Sequence, residues 1–216
     1  RRRSLILIIG QSNAQGVGRV IDLAPGAADL ADAYPAVRYV STQGGNTDPP
    51  VYQEFGVGDL RPLVFSAVNK LGVEITMGRA LDAIRPDQWA VAKFALGATS
   101  LNANWNPTGT YPTGQDNLFT QMVAYCRAAA TSMQATLVAV VWIQGENDAG
   151  GAGTSAAYGA NLQNFVTKLR AQLGTVPFFV GQLNVGYTGG AQTAAVRTRQ
   201  AAAVAAERAR RDRYHA

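Results

Sequence analysis

The sequence predicts an α/β protein, with a mostly parallel sheet of about five strands and helices on both faces. Two observations carry this. Strand-like runs alternate with helical periodicities along the chain, and the first run, Leu5-Ile6-Leu7-Ile8-Ile9, is wholly branched and apolar. Such a run suits a strand buried on both faces, as parallel strands are. Further strands are expected at Val37 to Val40, Ala90 to Ala95, Leu137 to Ile143 and Val176 to Leu183. Apolar residues at helical spacing predict helices over Glu74 to Ile84, Asp116 to Met133, Ser155 to Leu173 and Gln192 to Arg210. The last of these is rich in alanine, the strongest helix former. Two stretches rich in Gly, Pro, Asn and Thr, Ser41 to Pro62 and Asn102 to Gln115, read as long loops. Loops of that length in a compact domain are more often functional than not.

The 216 residues contain no evident linker, so a single domain over residues 1–216 is expected, with an atypical end from about residue 206. An apolar content of 47% allows a sizeable core. The net charge of +5 arises at the ends, through Arg1 to Arg3 and six arginines from Arg197 onward. The body between them is slightly acidic, which argues against a nucleic-acid surface. Cys126 is the sole cysteine, so no intrachain disulfide forms and a cysteine-based zinc site is excluded. No run approaches the roughly 20 apolar residues of a membrane span. The chain starts almost on its first strand, so any signal peptide is expected to have been removed or omitted.

Three segments carry the chemistry. The first is Gly10-Gln11-Ser12-Asn13-Ala14-Gln15-Gly16, directly after the first strand. A serine leaving the carboxyl end of a buried strand lies where open α/β sheets place their ligands. The amides beside it can stabilise charge developing on a substrate oxygen. The alternative is a plain strand-to-helix turn in which Ser12 or Asn13 caps the next helix. The second segment is Gly97-Ala98-Thr99-Ser100-Leu101 with Trp105 shortly after. Its small residues would let backbone N–H groups approach a reacting carbonyl, or it is an ordinary loop. The third is Trp142-Ile143-Gln144-Gly145-Glu146-Asn147-Asp148. Gln144 could donate to an oxyanion, Glu146 or Asp148 could orient a base or hold the loop, and Asp148 could equally cap a helix.

Together these segments closely resemble the SGNH-hydrolase superfamily, and within it the branch of sialate O-acetylesterases and carbohydrate esterase family 6. The family's Gly-Gln-Ser-Asn block is matched by Gly10, Gln11, Ser12 and Asn13, with Gly16 following. Its Gly-Gly-Thr-x-Leu block is matched by Gly97, Thr99, Leu101 and Trp105, with Ala98 at the second glycine. Its Trp-x-Gln-Gly-Glu-x-Asp block is matched by Trp142, Gln144, Gly145, Glu146 and Asp148. Fainter likeness runs through Gly72-Val73-Glu74 and around Val196, Arg197 and Gln200.

The resemblance implies a three-layer flavodoxin-like fold and a serine esterase that removes acetyl groups from sugars without a metal or organic cofactor. It makes Ser12 the nucleophile, and the backbone N–H groups of Ser12 and Gly97 and the Gln144 side chain the oxyanion donors. Gln11, Asn13, Thr99, Trp105, Glu146 and Asp148 are implied as supporting residues. The family's base comes from an Asp-x-x-His block on a loop before a last helix. Here Asp212-Arg213-Tyr214-His215 has that spacing, and His215 is the only histidine, but the pair runs on from a helical stretch with only Ala216 after it. Either the tail folds back to bring Asp212 and His215 to Ser12, or the spacing is coincidental and His215 is a frayed terminal residue. In the first case the protein is an O-acetylesterase of an acetylated glycan such as acetylxylan or O-acetyl sialic acid. In the second it is a glycan-binding or structural module lacking a placed base. An esterase of longer acyl chains is a third, weaker reading. An acetylated glycan partner, with no nucleic acid and no membrane insertion, favours a secreted or extracellular location.

Overall fold

The computed structural model describes residues 2–16, 18–19, 30, 34–41, 58–60, 63–65, 68–109, 117–187 and 190–213. Its strands are β1 (Arg3–Gly10), β2 (Gly18–Arg19), β3 (Tyr34–Ser41), β4 (Gly58–Leu60), β5 (Leu63–Phe65), β6 (Val68–Leu71), β7 (Trp89–Ala95), β8 (Ala135–Ile143) and β9 (Phe178–Gly181). Its helices are α1 (Ser12–Gln15), α2 (Val73–Ile84), α3 (Leu118–Ser132), α4 (Ala152–Leu173) and α5 (Thr193–Arg213).

The main sheet has the order β4-β3-β7-β1-β8-β9. Every pairing in it is parallel except that of β4 with β3 at one edge. The α/β architecture therefore stands, with five parallel strands and helices on both faces. Strand β1 lies between β7 and β8, and its apolar run is buried throughout: Leu5, Leu7, Ile8 and Ile9 are fully buried. Its odd-numbered side chains, Leu5, Leu7 and Ile9, enter one core with α3, α4 and α5, whereas Ile8 faces a second core with α1 and α2. That alternation is the strand period of two, read out as two layers of helix.

Without β3 and β4, the remaining strands follow the flavodoxin pattern. The chain moves from β1 to β7 on one side, then crosses to β8 and β9 on the other, which puts a topological switch point beside β1. Strand β3 and its antiparallel partner β4 are inserted in the β1-to-β7 connection and extend the β7 edge. The same connection carries a small antiparallel sheet, β2-β6-β5. Of this stretch, Val37 to Val40 was expected as a strand and falls in β3. Ser41 to Pro62 was expected to be irregular, and of it only Ser41 and residues 58–60, which form β4, are described. Strands β2, β5 and β6 lie where no element was expected. These strands escape a sequence reading because each is two to four residues long. Nor does an Asn-Gly or Asp-Gly pair mark a hairpin between β5 and β6.

The expected helices form with small boundary shifts. Asn117 ends the preceding loop by accepting from the Thr120 N–H at 2.9 Å, so α3 starts at Leu118. Helix α4 begins three residues earlier than expected, after Gly151. The last strand shortens to Phe178–Gly181, beginning after Pro177, which has no N–H to donate to a ladder. Residue 206, where an atypical end was expected, lies inside a helix that continues to Arg213. No helix among the described residues is long and apolar enough to cross a membrane.

Candidate active site

The register of the central strands brings the three chemical segments to one level. Gly10 pairs with Ala95 on one side and Ile143 on the other. Ser12, Gly97 and Gln144 thus leave three adjacent strand ends within one or two residues of that row, at strand spacings of about 4.8 Å. Gly10 permits this closeness. It adopts φ +142°, and a Cβ there would lie 1.9 Å from the Ile143 carbonyl oxygen. The Gln11 N–H donates to that same carbonyl at 3.1 Å, and the chain then enters α1 at Ser12.

Ser12 is half-buried, its hydroxyl free of any partner among the described residues. Its backbone N–H and that of Gly97 likewise have no acceptor among the described residues. The first N–H groups of a helix have no intrahelical acceptor, which explains the open donor at Ser12. Ala98, next to Gly97, has φ +58°. The resemblance has glycine there, and alanine holds that left-handed conformation at a cost of about 1–2 kcal/mol.

Side chains lace the three loops together. Asp148, in a short 3₁₀ turn after β8, is fully buried. It accepts from the Leu101 N–H at 2.8 Å, the Asn102 N–H at 3.0 Å and the Gln144 Nε2 at 2.6 Å. Burial pushes its carboxyl above the ordinary range, against the pull of those three donors. Gln144 Nε2 also lies 3.1 Å from the Thr99 carbonyl and 3.3 Å from Gln11 Oε1. Gln11 Oε1 is in turn within 3.4 Å of the Asn147 N–H.

The arrangement changes the expected part of Gln144. An amide nitrogen has two hydrogens, and three acceptors already surround this one. The side chain therefore joins the loops after β1, β7 and β8. To donate to an oxyanion it must release one of these bonds, the longest being that to Gln11. Its backbone carbonyl is held as firmly, accepting from the Tyr158 hydroxyl at 2.8 Å and Gln200 Nε2 at 3.0 Å. Tyr158 and Gln200 were not singled out as site residues. Gln200 lay in the fainter stretch of likeness, and Tyr158 gives no signal beyond its place on the apolar stripe of α4.

Glu146 and Asn13 meet beside Ser12, where Asn13 Nδ2 donates to Glu146 Oε1. Glu146 Oε2 is buried with no partner among the described residues. Thr99 and Trp105 lie away from the opening. Trp105 is fully buried, packs edge-on to Trp142 and Phe94, and donates its indole N–H to the Thr99 hydroxyl at 2.9 Å. It braces the Gly97 loop from inside the core and presents no face to a ligand.

As far as Arg213, the tail does not join this cluster. Helix α5 starts at the site, where the Gln192 N–H donates to the Ala149 carbonyl and Gln200 reaches Gln144. It then runs alongside α4, with Arg199 beside Ala156 and Glu207 paired to Arg170 near the end of α4. That end leads into the start of β9, at the amino edge of the sheet. At 1.5 Å per residue, Arg213 lies about 30 Å along the helix from Thr193. Asp212 is on that last turn, on the opposite side of the molecule from Ser12. Of the two alternatives for the tail, the fold-back is not seen as far as Arg213, because the alanine-rich helix continues unbroken. His215 lies outside the described residues.

A family model described as carbohydrate esterase, sialic acid-specific acetylesterase, matches residues 2–210, ending before Asp212. No curated protein matches the chain. A protein from Arabidopsis thaliana has a similar structure, with a TM-score of 0.69, 17% identity, and coverage of 93% of this chain and 81% of that one. NanS gives a TM-score of 0.65 at 17% identity, over 91% of this chain and 72% of that one. A carbohydrate acetylesterase from Xanthomonas citri gives 0.67 at 19% identity, over 94% of this chain but 47% of the other. At these identities the structural likeness is one of fold, whereas the family match spans nearly the whole chain. The chain belongs to the sialic acid-specific acetylesterase family of carbohydrate esterases, whose members act on acetylated carbohydrates.

Proposed function

We propose that this protein is a serine esterase that removes O-acetyl groups from a glycan through an acyl-enzyme. The observation that carries the reading is the placement of Ser12. It stands at the switch point of the sheet, with two unengaged N–H groups, its own and that of Gly97, on adjoining loops. In this scheme the Ser12 hydroxyl attacks the acetyl carbonyl, and the two N–H groups receive the oxygen that gains negative charge. Such donors are typically worth about 3–4 kcal/mol of barrier each. The sugar oxygen leaves with the proton taken from Ser12, and water then releases acetate by the reverse path.

The proton needs a base. Glu146, one residue-length from Ser12 through Asn13, is the carboxylate placed to orient an imidazole, in preference to Asp212. No histidine occurs among the described residues, and His215 is the only one in the sequence. The course of α5 away from Ser12 supports a second reading, a glycan-binding module that keeps the oxyanion pocket without a base. Hydrolysis of p-nitrophenyl acetate separates the two. The esterase reading expects turnover that is lost in Ser12→Ala, while turnover equal in wild type and Ser12→Ala leaves only the binding reading. Deleting residues 212–216 then reports on His215: retained turnover removes it from the mechanism, and abolished turnover with an intact fold makes it the base.

A further inference from the structure

Lys93 is the one charged residue in β7, a strand whose other residues are apolar and, after half-buried Trp89, buried, and it is itself 1% exposed. It lies opposite Ile8 of β1, on the face of the sheet that carries α1 and α2. Its ammonium donates to the Gln15 carbonyl at 2.7 Å and to Glu74 Oε1 at 2.7 Å. Gln15 is the last residue of α1, the single turn that begins with Ser12. Glu74 is in the first turn of α2 and fully buried. Gly72 makes room for it, since a Cβ there would lie 2.2 Å from Glu74 Oε2. A buried ion pair costs desolvation and is weak evidence of added stability. Its geometry here has a different consequence, because one ammonium joins β7, the exit of the serine turn and the start of α2.

We propose that Lys93, held by Glu74, is a positioning residue that fixes the Ser12 turn from beneath through the Gln15 carbonyl. The proposal rests on the reading of Ser12 as the nucleophile. A one-turn helix has only two internal backbone bonds, Gln15 to Gln11 and Gly16 to Ser12. Its orientation is therefore set by what it touches: Ala14 packs into the core on its inner side, and Lys93 holds its carbonyl end. A nucleophile displaced by about 1 Å can lose on the order of a hundredfold in rate. The clamp also ties the point where the chain leaves the serine turn to the point where it returns at α2.

The test uses the full chain carrying Lys93→Met with Glu74→Gln, which removes both charges together and strands neither in the interior. Lys93→Leu with Glu74→Leu is the second variant, should the first not fold. Two quantities are read: amide hydrogen exchange at Gln15 and Gly16 against Leu7 and Val91 in the strands, and the rate at which a fluorophosphonate probe modifies Ser12. The expected result is at least tenfold faster exchange in α1 with strand protection kept. Ser12 modification and kcat for p-nitrophenyl acetate should fall at least tenfold, with KM within about twofold. Wild-type α1 exchange in a folded variant overturns the proposal. So does faster exchange with unchanged modification, or a loss of protection spread evenly over α1 and the strands, since either leaves the pair a purely structural role. A wild-type protein that the probe does not modify at Ser12 contradicts the nucleophile reading instead, and the exchange measurement still decides whether the clamp holds α1.

Discussion

Replacing Asp148 by alanine should loosen the loop after β7 and the Gln144 side chain together. The carboxylate accepts three hydrogen bonds, and their losses differ. The Leu101 N–H is in a fully buried residue and would have no acceptor, at a cost of about 1–3 kcal/mol. Asn102 is exposed, so water replaces its bond and the cost is small. Gln144 Nε2 retains the Thr99 carbonyl and Gln11 within reach and loses only its shortest bond. The sum is about 2–4 kcal/mol. For a chain of this size, that lowers the melting temperature by roughly 5–15 °C. Asp148→Asn should be the milder variant. With its oxygen at the Oδ2 position it still accepts from Leu101 and Gln144, and its NH₂ meets only the N–H of exposed Asn102, so it should lose less stability than alanine does. Urea unfolding followed by tryptophan fluorescence measures both. A loss below about 0.5 kcal/mol for the alanine variant would refute the claim that this carboxylate holds the site's loops.

Other expectations follow from single positions. Ala98→Gly should raise stability by about 0.5–1 kcal/mol in the same assay, because it relieves a positive φ. Gly10→Ala should cost more than about 3 kcal/mol or prevent folding, since the added methyl would meet the Ile143 carbonyl, and a soluble variant of near wild-type melting temperature would contradict the register. Burial pushes the Cys126 thiol up to about 12, so a thiol reagent at pH 8 should leave the native protein unmodified and label it fully in denaturant. Esterase activity should persist in excess chelator, and activity that vanishes and returns with added zinc would remove the serine mechanism.

Much of the fold was legible because its signals are local. Leu5 to Ile9 reads as a strand buried on both faces, as it is, and the apolar stripes of α3 and α4 repeat at helical spacing for several turns. The inserted strands were not legible, since β2, β4, β5 and β6 are too short to show a period of two. In the candidate site, residue types and strand ends pointed to Ser12, Gly97 and Gln144, which the register does bring together. What the sequence could not show is which atoms are already engaged. Gln144 reads as a free donor until Asp148 is seen 2.6 Å from it, and Trp105, implied as a supporting residue, gives no sign in the sequence that its support comes from within the core. Lys93 had a signal, a lone lysine within Ala90-Val-Ala-Lys-Phe-Ala95, and a charge in a fully buried strand implies a partner. That partner, Glu74, is 19 residues away. The Asp-x-x-His spacing is short enough to arise anywhere; the course of α5 carries Asp212 away from Ser12, and His215 lies outside the described residues.

Ser12 bears the reacting atom in the proposed mechanism. Incubation of the full chain with a fluorophosphonate probe, followed by peptide mass spectrometry, tests this in one step. The predicted result is a single adduct on Ser12 whose extent tracks the loss of p-nitrophenyl acetate hydrolysis. An adduct confined to another residue, or hydrolysis undiminished when Ser12 is fully modified, would contradict it.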